Sequence, residues 1–190
     1  GLRSAIIPRF PGVTSALGCV VADLLYDRVQ TVNKLLSNID SMSISKQLKT
    51  VSLELETYIT ASNTDILRLE RFYEFDMLYV GQTHTVVVPI DIDNETLSKE
   101  EIQKSFDKAY LDTYGRLLEN IPVKVVNFRV IVIGRRPSFD MSLFSPKDGK
   151  TESECILEKR EIYANGKTWL INVYDRLALD VDEKIIGPAL

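Results

Sequence analysis

Histidine is nearly missing from this 190-residue chain, with His84 its single representative. One imidazole cannot build a multi-histidine metal site, and the His-Glu-x-x-His signature of zinc proteases is absent. Cysteine is almost as scarce. Cys19 and Cys155 stand far apart, so there is no Cys-x-x-Cys pair, and two thiols in a chain of this length suit a reducing cytoplasm. Both are read as small buried hydrophobes. No Gly-rich phosphate loop and no Gly-x-Ser-x-Gly elbow occur. Basic residues are outnumbered, 23 Lys and Arg against 27 Asp and Glu, and form no long run, which argues against a nucleic-acid partner. No apolar run approaches membrane-span length. The stretch Ala16–Leu25 is interrupted by Asp23 and lacks the basic leader of a signal peptide, so no membrane partner is expected.

What the chain does contain is a globular composition, 45% hydrophobic and 26% charged. At this length about 70% of the extended chain's surface can be buried, enough for a true core. The apolar end, Ile185-Ile186-Gly187-Pro188-Ala189-Leu190, and the start at Gly1-Leu2-Arg3 without methionine are read as cuts through a larger protein.

Periodicity places the elements. Thr14 or Ser15 caps a helix expected to run towards Leu36, with Leu17, Val20, Val21, Leu24 and Leu25 as its apolar stripe. After a polar break at Ser37–Ser41, a second helix carries Ile44, Leu48, Val51 and Leu55 at alternating steps of four and three. Such a seam predicts an N-terminal helical hairpin, and it is either core or an inter-subunit surface. Tyr73 to Tyr79 alternates with period two, Gly81-Gln82 is a turn, and Thr83 to Val88 is β-branched, so a β-hairpin ending at Pro89 is predicted. Ser98 and Glu101 form a capping box for one inserted helix that stops at Gly115. Val123 to Ile133 is a long strand, Gly134 to Gly149 a polar loop, and Asn165-Gly166 the turn of a last hairpin. Helices first, then mostly antiparallel strands, make the chain α+β.

Few side chains suggest chemistry. His84 lies beside Asp76, Tyr79 and Gln82 around the predicted turn, and this quartet is the candidate catalytic cluster; His84 is read either as a surface or hydrogen-bonded structural residue or, functionally, as a general base or a substrate contact. Arg135-Arg136 ends the long strand as a solvated end or an anion contact. Asp91-Ile92-Asp93-Asn94-Glu95 lacks the spacing of a calcium loop and is read as a solvated turn, so no metal site is expected.

A set of short strings extends the reading beyond periodicity. Pro8-Arg9-Phe10-Pro11-Gly12-Val13-Thr14-Ser15-Ala16-Leu17-Gly18 resembles the Pro-Gly-x-x-Ser-Ala-x-Gly segment of the hydantoinase/oxoprolinase family, which includes N-methylhydantoinase A subunits, 5-oxoprolinase and the acetone carboxylase β subunit. Asp76 to Gln82, Phe106 to Gly115, Pro122 to Arg129, Val173 to Arg176 and Gly187 to Ala189 resemble further family segments, in the family's order. Leu78, Tyr110 and Lys124 stand where many members carry arginine, histidine and glutamate.

The resemblance implies the C-terminal portion of a cytoplasmic, ATP-dependent cyclic-amide hydrolase or carboxylase subunit. On that reading, residues 1–36 close the ATPase core and link to a C-terminal α+β domain, 37–190, cut short at its end. ATP and magnesium belong to a missing N-terminal region, and no cofactor is expected in these residues. The implied partners are that ATPase domain and a B-type subunit, with homo-oligomerisation open. Two readings compete: an autonomous interaction module using the helical seam, and a small hydrolase built on His84, Asp76 and Tyr79.

Overall fold

The computed structural model describes residues 3–92 and 97–190; residues 93–95 of the predicted acidic turn lie outside the described residues. In chain order the elements are α1 (Thr14–Val21), β1 (Leu24–Leu35), α2 (Ser41–Thr60), β2 (Arg68–Tyr79), β3 (Val86–Ile90), α3 (Lys99–Tyr114), β4 (Val123–Arg135), β5 (Ile156–Ala164) and β6 (Lys167–Tyr174). The fold is α+β with antiparallel sheets. Two compact units divide it. Ala22–Pro137 forms a sheet unit, and the preceding residues together with Ser138–Leu190 form a hairpin unit.

The first arm of the expected helical hairpin is not a helix beyond Val21. Leu24–Leu35 is a strand, paired with β4 from Leu24↔Gly134 to Leu35↔Lys124. The apolar stripe therefore straddles two elements. From Arg28 onward half-buried Arg28, Gln30 and Val32 alternate with exposed Val29, Thr31 and Asn33, a period of two. Pairing to a strand a hundred residues away overrides the local helical spacing, as β structure depends on its neighbours.

The sheet order is β1-β4-β2-β3, with every neighbouring pair antiparallel. The connection through α2 joins β1 to β2 across β4, and that through α3 joins β3 to β4 across β2, giving two split β-α-β units. Both helices bury their apolar stripes in one core with Phe75, Met77, Phe128 and Val130. The α2 seam is core: Ile44, Leu48, Val51, Leu55 and Ile59 are at most 5% exposed. The reading in which that seam binds a partner is thereby overturned, because the sheet already covers it.

Local signals place the helix ends. Asp40 accepts hydrogen bonds from the backbone N–H of Met42 and Ser43 at the start of α2. Ser98 Oγ accepts from Glu101 N at 3.1 Å while Ser98 N donates to Glu101 Oε2 at 2.9 Å, the predicted capping box. Gly115 ends α3 at φ 72°, a left-handed cap. Pro89 does not end the second hairpin. It sits within β3, an edge strand opposite Glu74, where its missing N–H breaks no ladder to a further strand. Gly134 is required by packing, since a Cβ there would lie 2.8 Å from Ile59 Cγ2.

Charged side chains tie the sheet unit. Arg135 donates to Glu70 and to Asp23, and Arg136 N donates to Asp23 Oδ1 at 2.9 Å, which closes the strand end against the start of β1. Arg135 is thus held internally. Glu56 accepts from Arg71 Nε at 2.5 Å and from Ser52 Oγ at 3.2 Å. The Arg71 guanidinium keeps the Glu56 carboxyl below its ordinary range. A carboxyl with a depressed folded pKa stabilises the fold above its unfolded pKa, about 4.3, and loses that contribution as pH falls through the folded value. Acidification from about pH 5 towards 3 is therefore expected to destabilise the sheet unit through this pair. Urea midpoints measured across that range should fall less steeply in Glu56→Gln; an identical slope would show that the pair contributes nothing.

The hairpin unit contains β5 and β6, joined at Asn165 (φ 53°) and Gly166 (φ 78°), as the Asn-Gly signal predicts. Trp169 Nε1 donates to the Ala164 carbonyl at 3.2 Å, and the Lys167 ammonium lies 4.0 Å from the indole centroid. Cys155 is buried as expected, whereas Cys19 on α1 is exposed, because α1 buries none of its residues. Among the described residues no helix is long and apolar enough to cross a membrane.

Candidate functional site

The four candidate catalytic residues occupy different environments. Asp76 points to the sheet face away from the helices, where its Oδ2 accepts from Asn127 Nδ2 at 3.0 Å. Tyr79 points into the core, 3% exposed, edge-on to Phe106 at 5.0 Å and to Tyr110 at 4.8 Å. Its hydroxyl accepts from Leu118 N at 3.4 Å, and burial pushes its pKa up. Gln82 Nε2 donates to the Tyr110 hydroxyl at 2.7 Å, and its buried Oε1 has no partner among the described residues. His84 is exposed between β2 and β3. Tyr79 and Gln82 thus meet through Tyr110, while Asp76 and His84 join neither them nor each other. A register shift at Asp76/Met77 contributes, since Met77, Leu78 and Tyr79 no longer continue a simple alternation. Among the described residues no group of His, Cys, Asp and Glu is arranged to hold a metal ion.

A cleft in the hairpin unit gathers more. It has a volume of 540 Å³ and is built from three stretches remote in sequence: residues 6–17, 141–146 and 176–183. Its walls are chiefly apolar, including Ile7, Phe10, Leu17, Met141, Phe144 and Leu179. Four charged side chains, Arg9, Arg176, Asp180 and Glu183, line it as well. An apolar hollow of this size with a few convergent polar groups has the form of a small-ligand or side-chain binding site.

Local sequence shapes this cleft. Pro11 opens a short 3₁₀ turn, Pro11–Val13, that leads into α1, and Thr14 Oγ1 donates back to the Phe10 carbonyl at 3.1 Å. The turn presents the Phe10 ring edge-on to Phe144, 5.8 Å between centroids, and Phe144 in turn meets Phe139 at 5.6 Å. Asp175 organises the opposite wall by accepting from Leu177 N at 3.1 Å. Arg176 Nη2 donates to the Pro8 carbonyl at 2.5 Å and also to the Arg9 carbonyl, while the Arg9 guanidinium donates to the Leu177 carbonyl. The two arginines therefore cross-strap the residues around Pro8 to the turn at Asp175–Leu177. Asp180 lies against Gly149, where a Cβ would come within 2.5 Å of the Asp180 Cβ, so the close approach needs glycine. Asp180 Oδ1 accepts from Val181 N at 2.8 Å, and Glu183 Oε2 accepts from Glu152 N at 3.3 Å.

No imidazole or thiol is among the residues lining the cleft, whose titratable groups are Arg9, Arg176, Asp180 and Glu183. Sequence reasoning did not assign it as a site. The strings Pro8–Gly18 and Val173–Arg176 were recognisable, but no local pattern says that segments about 160 residues apart meet.

The sheet unit and the hairpin unit define an α+β fold that recurs within larger ATP-dependent enzymes. Specifically, it matches a nucleotide-free structure of acetone carboxylase, from work on ATP-dependent acetone carboxylation, with a TM-score of 0.65 at 16% identity. That match covers 96% of this chain and 28% of the carboxylase chain. It also matches the ATP-dependent caprolactamase of Pseudomonas jessenii, with a TM-score of 0.53 at 20% identity over 86% of this chain and 25% of that one. An uncharacterized protein of Methanocaldococcus jannaschii is 24% identical over 189 residues, 100% of this chain and 26% of the relative. The chain spans about a quarter of the length of these proteins. No family model matches it.

Proposed function

We propose that these residues form the C-terminal portion of an ATP-dependent enzyme subunit of the hydantoinase/oxoprolinase kind, which opens a cyclic amide or carries out a related carboxylation. The observation that carries this reading is the agreement of two independent likenesses. Strings in the family's order run from Pro8 to Ala189, and the same chain shares its fold with a quarter or so of acetone carboxylase and of a caprolactamase. Acetone carboxylase is itself one of the enzymes that the strings resemble.

In this proposal the chain is a binding and packing element of a cytoplasmic, multi-subunit enzyme. Its surfaces meet the ATPase region of the same subunit and a B-type partner subunit. The cleft lined by Phe10, Phe144 and Arg176 holds a partner segment or part of the substrate path. In this reading ATP and magnesium are handled by the ATPase region of the same subunit and not by these residues. Asp76, Tyr79, Gln82 and His84 are assigned no catalytic role, since they do not converge.

Titration calorimetry of the 190-residue chain with ATP and magnesium tests the division of labour. No binding heat is expected, and an affinity tighter than about 1 mM would overturn it. The class of chemistry is tested on the whole protein, whose ATPase rate is expected to rise with a hydantoin, 5-oxoproline or a larger lactam. A rate unmoved by every cyclic amide and every ketone offered would sink the reading.

A further inference from the structure

The sheet unit holds a hollow of its own, 760 Å³ in volume, between the first turns of α3 and the stretch 117–123 that leads into β4. That volume lies in the range of small-molecule sites. Leu36, Leu117, Leu118, Ile121 and Val123 give it an apolar wall. Tyr79 also lines it, although its side chain is 3% exposed. The Tyr79 hydroxyl accepts one long hydrogen bond, 3.4 Å from Leu118 N, and among the described residues no group accepts its proton. An unmet donor on a buried side chain is costly, so a ligand that brings an acceptor gains what the fold leaves unused. Burial and the nearby Asp107 carboxylate push the Tyr79 pKa up, and the hydroxyl keeps that proton to donate.

The charges around the hollow do not favour an anion. Lys99 and Lys104 line it with Glu100, Asp107 and Glu119, two positive charges against three negative. Lys99 Nζ already donates to the Ser37 carbonyl at 2.5 Å, and Lys104 attracts Glu101 of the same helix. Asp107 Oδ1 accepts from Gln103 Nε2 at 2.8 Å, while its second oxygen has no partner among the described residues. An O–H without an acceptor and a carboxylate oxygen without a donor therefore stand near each other. A carbonyl beside an N–H would satisfy both. In an open-chain secondary amide the trans form wins, and these two groups point to opposite edges. A small ring forces the amide cis and turns both to one edge, where one wall can meet them.

We propose that this hollow binds a small uncharged cyclic amide, its carbonyl accepting from the Tyr79 hydroxyl, its N–H donating to Asp107 and its methylenes packed on Leu118 and Val123. No bond is made or broken there; the site holds the ring. The inference rests on the cyclic-amide reading of the whole protein and adds where such a ring is held.

The test is an NMR titration of the isotope-labelled 190-residue chain with 2-piperidone. The Leu118 amide signal is expected to shift and saturate with a Kd of about 10 mM or tighter. N-methyl-2-piperidone, which lacks the N–H, and 5-oxoproline, which adds a carboxylate, should each bind about fivefold or more weakly. Tyr79→Phe should weaken 2-piperidone about tenfold with far-UV circular dichroism unchanged. If that variant fails to fold, Asp107→Ala on the half-buried face of α3 takes its place, and should erase the preference for 2-piperidone over its N-methyl form. A Leu118 signal that does not move, shifts confined to other parts of the chain, equal affinity for the three compounds, or indifference to the substitution would overturn the proposal. An unmoved Leu118 beside a whole-protein ATPase that a lactam stimulates sinks the site and leaves the enzyme class standing. A shifted Leu118 beside an ATPase that no lactam stimulates does the reverse.

Discussion

Leu48→Ala is expected to remove about 3–4 kcal/mol of stability from the sheet unit, the range for a fully buried leucine truncated in a packed core. Leu48 is 0% exposed and lies mid-way along α2, in the same cluster as Phe75, Val88 and Phe128. Truncation leaves a cavity that the sheet beneath cannot collapse to fill, because its strands are paired on both sides of β4 and β2. In a unit of this size each kcal/mol moves the melting temperature by about 4 °C, so the effect is large in any thermal scan. Leu53→Ala on the same helix is the control. Leu53 is 63% exposed, and its loss is expected to change stability by about 0.5 kcal/mol or less. Urea unfolding followed by far-UV circular dichroism separates the two. Equal effects at both positions would mean that α2 does not bury the seam assigned to it.

Arg176→Ala is expected to free the stretch around Pro8 and Arg9 from the cleft. The Arg176 guanidinium holds the carbonyls of both residues, and charge-assisted hydrogen bonds contribute about 1.5–3 kcal/mol each when their partners are otherwise unmet. Even after screening at an exposed site, losing the pair should raise the open fraction of this stretch by about tenfold or more. Limited trypsin digestion reads that opening as faster cleavage after Arg9. Arg176→Lys should fall between, since it keeps the charge and loses the planar fork. A cleavage rate equal to wild type in Arg176→Ala would remove the cross-strap as the device that shapes the cleft.

The two variants mark how far local pattern carries. The α2 seam is legible because a helix repeats its face every three to four residues, so Ile44, Leu48, Val51 and Leu55 declare one buried side without reference to anything else. The Ser98–Glu101 box and the Asn165-Gly166 turn are legible for a similar reason, since each is closed within a few residues. The stretch Leu24–Leu35 misleads because its leucines and valines also suit a helix, and only β4 selects the extended form. The candidate quartet around His84 misleads differently. Nearness in sequence places four polar residues at one turn, but the pleat and the register shift send Asp76 and Tyr79 to opposite faces, and His84 stays exposed.

The missing histidines and cysteines, the absent phosphate loop, the helix caps, the α2 seam and the ordered strings from Pro8 to Ala189 are properties of the chain as written. They determine an α+β protein with no metal motif and with a resemblance to one enzyme family. Tertiary structure alone decided that β1 is a strand, that the seam faces a sheet, that Arg9 and Arg176 strap a cleft, and that Asp27 and Glu74 share the Arg129 guanidinium. The reason is the range of the interactions. Caps and helical periodicity close over a few residues, whereas the β1–β4 pairing and the arginine straps join positions roughly ninety or more apart, and no local pattern records which distant partner completes them.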